Sequence, residues 1–255
     1  MVVVLVHGSP EVSLIWDPLV ESLGALRHPE PIRLSPPGFG AESGPEWTST
    51  VQEYRDWLIT ELTRISDLGF GPIDLVGHDW GGGHTVNAVA LRPDLVRSWC
   101  SDSIGLFDPD YLWHERALRV QDPLEGDIWL KDLLHRTTAE RAAEHVSRGM
   151  APAIAQRIAA AMNDNMTLNM LRLYRDAAQP TMRDLGHHLE ACALRPGLVI
   201  VAGQDGVVGT HEQRRRTATR AGAQIAEFPD LGHWWMTQDP DAGAEVLSHF
   251  WASLP

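Results

Sequence analysis

Asp79, Asp205 and His233 are the residues whose types and settings best suit catalysis. Asp79 is the central residue of the segment Gly77–Gly82 (GHDWGG), in which glycines permit a sharp turn that exposes one side chain. A carboxylate presented in this way can attack carbon, and a histidine paired with a second carboxylate can activate water. Because a turn aspartate alone is a weak signal, the interpretation depends on the elements around it.

Each of these three residues follows a predicted strand. Ile73–Val76 precedes Asp79, Leu198–Ala202 precedes Asp205, and Gln224–Phe228 precedes His233. The carboxyl ends of parallel strands meet at one edge of a sheet, where ligands of such sheets bind. We therefore expect the three side chains to lie close together.

Strands alternate with helices along most of the chain. The further strands are predicted at 1–6, 31–34 and 96–100, and the helices at 16–26, 48–68, 81–91 and 242–251. Continuous β-branched runs such as the first strand are typical of strands buried on both faces of a parallel sheet. The pattern predicts an α/β fold with a doubly wound, mostly parallel sheet.

The alternation is interrupted once, between about Phe107 and Leu185, where only helical patterns occur. These patterns cover 112–119, 128–134, 138–148, 152–162 and 168–178. We expect one domain whose core comprises residues 1–106 and 186–255, with residues 107–185 inserted as a helical cap over the carboxyl edge of the sheet.

A pair of backbone N–H groups is expected beside Asp79. Ser9 follows the first strand in the turn His7–Pro10, and Trp80 follows Asp79 at the start of a helix. N–H groups aimed at a developing negative charge form an oxyanion hole. Ser9 and Trp80 are therefore the predicted oxyanion-hole residues.

The chain resembles the α/β-hydrolase superfamily, and within it the aspartate-nucleophile branch that includes epoxide hydrolases and haloalkane dehalogenases. The order nucleophile, acid, base is that of the superfamily. The resemblance covers nearly the whole chain and rests on these motifs: HGSP at 7–10, PGFG at 37–40 followed by Ser43, GHDWGG at 77–82, QD at 204–205 and GHW at 232–234.

The resemblance implies a role for each residue at those positions. Asp79 would attack carbon, His233 would activate water, and Asp205 would orient His233. Asp102, which also follows a strand, is the alternative acid, because some members of the branch carry it there. Relatives usually have two strands before the one that begins at Met1, so an α/β-hydrolase fold with shortened N-terminal strands is expected.

The chemistry of a carboxylate nucleophile agrees with this branch. No G-x-S-x-G motif occurs in the chain, so a serine esterase would lack its nucleophile. Carboxylate attack on an ester would give an anhydride, whereas attack on a saturated carbon that carries a leaving group gives an alkyl ester. Water activated by His233 can then hydrolyse that ester.

The leaving group distinguishes the activities. Epoxide hydrolases protonate the opening oxirane with two cap tyrosines; Tyr174 resembles the second, while Tyr111 lies earlier than expected for the first and Trp129 lies nearer that place. Haloalkane dehalogenases hold the halide between indole N–H groups, for which Trp80 and Trp129 are candidates. Trp234 is expected to border the cleft.

Epoxide hydrolysis is the leading prediction and haloalkane dehalogenation is its alternative. A third alternative is a cofactor-free, non-hydrolytic enzyme or a ligand-binding protein of the same fold, in which an indole-rich pocket would hold an aromatic ligand.

Composition limits the partners. The chain has 255 residues with 21 Lys and Arg against 34 Asp and Glu, a net charge of −13 that disfavours nucleic acid and anionic membranes. Two cysteines are too few for a disulfide framework or a thiolate metal site, so no metal is expected. The predicted hydrolase mechanism through an aspartyl ester needs no cofactor, so none is expected. This charge and the ten tryptophans indicate a neutral, apolar or aromatic small-molecule substrate.

The location and assembly of the chain are also expectations. No signal peptide is recognised at the N-terminus, and the apolar runs Val2–Val6 and Leu198–Ala202 are too short for a membrane span. A cytoplasmic protein is therefore expected. A homodimer is left open, because one edge of the sheet is expected to be exposed.

Overall fold

A parallel sheet of six strands forms the centre of the computed structural model, which describes residues 1–254. The strands are β1 (Val2–Val6), β2 (Ile32–Leu34), β3 (Ile73–Gly77), β4 (Ser98–Ser101), β5 (Gly197–Ala202) and β6 (Gln224–Phe228). Their order is β2-β1-β3-β4-β5-β6, and every pairing is parallel. The predicted α/β fold with a mostly parallel sheet is confirmed.

Helices outside residues 107–185 cover both faces of the sheet, and residues 1–254 form twelve α-helices in all. They are α1 (Asp17–Ala25), α2 (Val51–Asp67), α3 (Trp80–Leu91), α4 (Glu115–Gln121), α5 (Glu125–His135), α6 (Thr138–Ser147), α7 (Pro152–Ala161), α8 (Asp164–Asp176), α9 (Thr181–Leu185), α10 (His211–Arg220), α11 (Trp235–Gln238) and α12 (Pro240–Ala252). Short 3₁₀ segments lie at 13–16, 93–95, 104–107 and 186–194. Within the described part of the chain, no helix combines the length and apolar character needed to cross a membrane.

Side chains of the buried strand β1 alternate between two apolar clusters. Val2, Val4 and Val6 join the cluster that includes α2 and α3, whereas Val3 and Leu5 join the one that includes α1 and α12. Since successive side chains of a strand point to opposite faces, a run that is apolar throughout buries both faces. This explains why an unbroken valine-rich segment forms a central strand.

Helices α4 to α9 lie between β4 and β5, in the part of the chain where only helical patterns were found. Helix α4 packs against α5 and α8, and α6 packs against α7. Thr137 begins α6 with a capping box, in which its side chain and that of Glu140 satisfy each other's backbone N–H groups.

The strand order places a crevice at the end of β1. The chain passes from β1 to β2 on one side and returns to β3 on the other, and such a reversal of direction is where open α/β sheets bind ligands. Ser9 follows β1 and Asp79 follows β3, so both residues lie at this crevice.

The turn from β3 into α3 requires glycine because the backbones approach closely. A Cβ atom on Gly81 would lie 2.2 Å from the Val6 carbonyl oxygen, and one on Gly77 would lie 2.4 Å from the Gly81 carbonyl oxygen. Both contacts are with backbone atoms, which cannot rotate away. The glycines of the GHDWGG motif therefore allow α3 to begin directly against the sheet.

Gly81→Ala should destabilise the protein by about 1–3 kcal/mol, because the added methyl group overpacks the contact between α3 and β1. Gly24→Ala is the matched control: a Cβ at Gly24 meets nothing within 4 Å, and Gly24 lies in helix α1, where alanine is favoured by about 0.5–1 kcal/mol. Urea denaturation measures both values. Equal stability of the two variants would contradict this account of the turn.

Candidate active site

Asp79 occupies a strained backbone position between β3 and α3. Its φ and ψ angles are 53° and −126°, in a region that non-glycine residues rarely adopt. The carboxylate Oδ1 accepts a hydrogen bond from the Ser9 N–H at 2.9 Å. A Cβ on Gly8 would lie 2.1 Å from Asp79 Oδ1, so only glycine lets the loop after β1 reach this carboxylate.

His233 lies on the other side of Asp79 and is held by Asp205. Its Nε2 is 3.4 Å from Asp79 Oδ2, and its Nδ1 is 2.8 Å from Asp205 Oδ2. Asp205 is fixed in turn, because its Oδ1 accepts the Val207 N–H at 2.8 Å. The structure therefore brings together the three residues that the sequence singled out, although they are far apart in the chain.

The charges of this group shift its pKa values in opposite directions. Burial alone would lower the pKa of His233, but the charge and hydrogen bond of Asp205, with a further hydrogen bond to Asp79, outweigh it and raise this pKa to about 9. Burial would raise the pKa of Asp205, but His233 lowers it to about 2. His233 is consequently protonated at neutral pH.

Asp102 does not contact His233, which corrects the alternative choice of acid. Its Oδ2 is 2.5 Å from His78 Nδ1 and accepts the Trp235 indole N–H at 2.8 Å. Its Oδ1 accepts the backbone N–H of Asp79 at 3.0 Å. Asp102 thus fixes the backbone of the turn, and the carboxylate beside His233 is Asp205.

Sequence reasoning missed a buried polar cluster beneath the site. Glu11 Oε1 lies 3.2 Å from His78 Nε2 and accepts the Trp234 indole N–H at 2.6 Å, while Oε2 accepts the Gly8 N–H at 3.2 Å. Burial would lower the pKa of His78, but Asp102 and Glu11 raise it well above its usual value. Charged His78 therefore compensates two buried carboxylates.

This cluster offers the only obvious metal-type arrangement in residues 1–254, since ligand atoms of Glu11, His78 and His233 lie within 4.8 Å of one another. Hydrogen bonds already engage Glu11 and His78, and His78 is held between two carboxylates. His78 belongs to the GHDWGG motif, where its position was a usable signal. Nothing local in the sequence distinguishes Glu11.

A cavity opens above Asp79 and contains about 650 Å³ of empty space, including its open mouth. Its lining includes Asp79 and five other predicted residues: Ser9, Trp129, Tyr174, His233 and Trp234. The remaining lining residues are Pro10, His114, Arg116, Ala117, Val120, Leu133, Arg141, Glu144, His145, Arg148, Met162, Met170 and Val207. The size suits a small-molecule ligand.

Two predicted side chains lie outside this lining. The hydroxyl of Tyr111 donates to the Val207 carbonyl at 2.8 Å, and its ring packs against Trp113. The expectation that Tyr111 lines the cavity at Asp79 is therefore wrong. The Trp80 indole is buried behind Tyr174, with ring centroids 5.2 Å apart in an edge-to-face arrangement. Its backbone N–H, at the first position of α3, has no intrahelical acceptor and remains the candidate oxyanion donor.

Tyr174 is the only tyrosine of the chain that lines the cavity. Burial and the nearby charge of Asp79 raise the pKa of its hydroxyl above the ordinary value, although the Trp80 indole N–H and two arginines oppose the shift. The phenol is therefore neutral at physiological pH and retains a proton that it can donate.

Cationic side chains also line the cavity, which the sequence did not indicate. The guanidinium group of Arg148 lies over the Trp234 ring at 4.9 Å, and that of Arg116 lies over the Trp129 ring at 5.3 Å. Burial lowers the pKa of His145 to about 4, so this imidazole is neutral. The lining thus contains two indole rings, Trp129 and Trp234, rather than the indole-rich surface expected, and it carries positive charge.

Comparison with known proteins adds a family assignment to this geometry. The family model described as "Alpha/beta hydrolase family" matches residues 3–246, which is most of the chain. The chain belongs to the alpha/beta hydrolase family. The parallel sheet with helices on both faces is thus the fold of this family.

The most similar relatives carry different names. The chain is 33% identical over 94 residues to an (E)-2-((N-methylformamido)methylene)succinate hydrolase from Acinetobacter baylyi, covering 37% of this chain and 34% of that protein. It is 31% identical over 104 residues to an epoxide hydrolase from Caballeronia sordidicola, covering 38% and 29%. The matched region thus spans about a third of each relative.

Solved structures match over almost the whole chain. Haloalkane dehalogenase DbeA from Bradyrhizobium elkani superposes with a TM-score of 0.69 and 20% identity, covering 99% of this chain and 91% of that one. At this level of identity the likeness shows the α/β-hydrolase fold and does not assign an activity.

Asp205→Asn should lower the pKa of His233 from about 9, because the charge and hydrogen bond of Asp205 are the main influences that raise it. Asp102→Asn is the matched control and should act mainly on His78, which Asp102 contacts. NMR titration of the imidazole groups measures both. If Asp102→Asn lowers the pKa of His233 more than Asp205→Asn does, Asp205 is not the acid that supports His233.

The same shift has a consequence for stability. The pKa of His233 in the folded protein, about 9, exceeds the ordinary 6.5, so its contribution is complete below about pH 6.5 and is lost as pH rises through 9. Denaturation of the wild type should show this decline, and Asp205→Asn should show a smaller one.

Proposed function

We propose that the protein is a cofactor-independent hydrolase in which Asp79 forms an alkyl ester with the substrate and water activated by His233 cleaves it. The activity we propose is epoxide hydrolysis, which gives a vicinal diol. The observation that carries this proposal is the setting of the Asp79 carboxylate, with one oxygen on the Ser9 N–H and the other facing His233. Helices between residues 107 and 185 act as the cap in this proposal.

In the first step, Asp79 Oδ2 attacks a saturated carbon of the oxirane and the bond from that carbon to the ring oxygen breaks. Tyr174 gives its proton to the departing oxygen, which becomes a hydroxyl group. The resulting phenolate lies near Arg116 and Arg148, both of which favour its charge. It regains a proton after hydrolysis of the ester.

Formation of the ester prepares the second step. It removes the negative charge of Asp79, and with it one of the interactions that raise the pKa of His233. His233 releases its proton to solvent, and the neutral imidazole then takes a proton from water while the hydroxide attacks Cγ of Asp79. The bond between Cγ and Oδ2 breaks, His233 gives its proton to the departing Oδ2 of the diol, and the new carboxyl group of Asp79 gives its proton to the Tyr174 phenolate. His233 regains a proton from solvent once Asp79 is charged again. The Ser9 and Trp80 N–H groups stabilise the oxyanion that develops on Oδ1, each donor being worth about 3–4 kcal/mol.

Two observations favour an epoxide over a halide. A neutral phenol, Tyr174, lines the cavity with Asp79, whereas the Trp80 indole that would hold a halide lies behind it. The Caballeronia relative is named an epoxide hydrolase. Haloalkane dehalogenation is the second candidate, supported by the indole of Trp129 in the cavity lining. A non-hydrolytic role would leave Asp79 without a function.

His233→Ala should form the ester but hydrolyse it at least about a hundredfold more slowly, because the general base is lost. The variant is incubated separately with styrene oxide and 1-bromobutane, and the peptide containing Asp79 is weighed. A stable adduct with the epoxide supports the proposal. His187→Ala, which removes an exposed histidine, is the control and should turn over normally without an adduct.

If only 1-bromobutane forms an adduct, the proposed activity of epoxide hydrolysis is wrong and dehalogenation is the activity supported. If neither compound class modifies Asp79, while the wild-type protein converts either one, the carboxylate nucleophile is wrong.

Tyr174→Phe should slow ester formation from styrene oxide by about 10²–10⁴-fold, because the proton donor for the ring oxygen is removed. Tyr111→Phe is the matched control: Tyr111 does not line the cavity and its hydroxyl donates to the Val207 carbonyl, so the loss should be about 1 kcal/mol of stability with little change in rate. Rapid-quench mass spectrometry in the His233→Ala background measures adduct formation. Equal rates in the two tyrosine variants would exclude Tyr174 as the donor.

A further inference from the structure

Two arginines flank the passage from the surface to Asp79. Arg116 belongs to α4, and Arg148 caps the C-terminus of α6. Both line the cavity above Asp79 and also an open cleft beside it, which shares the lining residues His114, Val207, His233 and Trp234 with that cavity. The arginines therefore face the route by which a ligand reaches Asp79.

The protein itself leaves much of this charge unneutralised. Among residues 1–254, no carboxylate oxygen lies within ion-pair distance of Arg148. Arg116 Nη2 lies 3.1 Å from Glu144, but its Nη1 is buried without a hydrogen-bond partner, and Glu144 also pairs with Arg136 at 3.1 Å. Partly buried cations without partners are costly, and this chain has acidic residues in excess.

Arginine is the source of positive charge at the mouth, where Glu115 and Glu144 are the acidic lining residues besides Asp79 and Asp205. Burial lowers the pKa of both His114 and His145 to about 4, so both imidazoles are neutral at physiological pH. Burial and Arg116 lower the pKa of Arg148, as expected where an anion would relieve repulsion between two cations. The third arginine of the lining, Arg141, is occupied by backbone carbonyls of Leu134, Arg136 and Ala159.

The two guanidinium groups are held in place by aromatic rings. Arg148 rests on Trp234 and Arg116 on Trp129, and both rings line the same cavity. Contact with an indole face restricts the motion of a guanidinium group. Its N–H groups lie in the plane of the guanidinium and stay free to bind a ligand. Such groups match the planar, bidentate geometry of a carboxylate.

We propose that Arg148 and Arg116 bind a carboxylate group of the substrate and thereby place its reactive carbon against Asp79. The substrate class is then a small organic acid that carries an electrophilic carbon, rather than the wholly neutral molecule expected from composition. The catalytic half of this proposal rests on the proposed function, whereas the binding of a carboxylate does not.

The catalytic half is tested with 3,4-epoxybutanoate and its uncharged analogue 3,4-epoxybutanamide. The wild-type protein should favour the acid by about tenfold to a hundredfold in kcat/KM, as expected for charge-assisted hydrogen bonds. Arg148→Gln and Arg116→Gln should each move this ratio toward one. Arg119→Gln, which removes an exposed arginine of the same helix α4, should keep the wild-type ratio.

The binding half is tested without turnover, by tryptophan fluorescence during titration with butanoate, butanamide and chloride. Butanoate should bind the wild type and Arg119→Gln more tightly than the other two ligands do, and Arg148→Gln should lose this binding. If butanoate binds in this way but no epoxide modifies Asp79, the proposed function fails and the carboxylate site stands.

If Asp79 forms the ester but the wild type treats acid and amide alike and does not bind butanoate, the carboxylate site is wrong and the proposed function stands. Chloride binding as tight as that of butanoate would also overturn the proposal, because the arginines would then attract any small anion.

Discussion

The contact between the Asp79 carboxylate and the Ser9 N–H, at 2.9 Å, is the interaction on which the site depends. It exists only because the backbone at Asp79 adopts a positive φ and because Gly8 leaves room for the carboxylate. Close packing of α3 against β1 at Gly81 fixes the same turn from below. Strain at Asp79 is thus supported by two glycines, Gly8 in the loop after β1 and Gly81 in the first turn of α3.

Beneath this contact, histidine side chains lie between carboxylates, so that positive and negative charges offset each other. His78 lies between Glu11 and Asp102, and its ring centroid is 4.7 Å from that of His233. A charged His78 disfavours a second charge on His233, whereas Asp205 favours it. The protonation of His233 therefore responds to whether Asp79 is charged, which is the property that a two-step ester mechanism requires.

Sequence patterns predicted the strands well because β-branched runs such as Val2–Val6 have few alternatives to burial in a sheet. They also predicted that Asp79, Asp205 and His233 would meet, since strand ends share one edge. Features that depend on packing between distant segments were missed: Glu11 beneath the site and Arg148 at its mouth. The positions and charges of these side chains matter only through contacts with residues that are distant in sequence.

Tyr111 shows the same limit, because here a residue was predicted to belong to the site and does not line it. Its residue type suited a proton donor, but the hydroxyl points to the Val207 carbonyl. The direction of a side chain between the helices and the core is set by tertiary packing, so no local pattern reveals it.

The central claim is that the Asp79 carboxylate, rather than water, attacks the substrate. Its most direct test is a single turnover of an epoxide in water enriched in oxygen-18, with protein in excess over substrate. The account predicts that the product of this first turnover carries no label from the water and that the peptide containing Asp79 gains one oxygen-18. Label in the first product, with Asp79 left unlabelled, would contradict it.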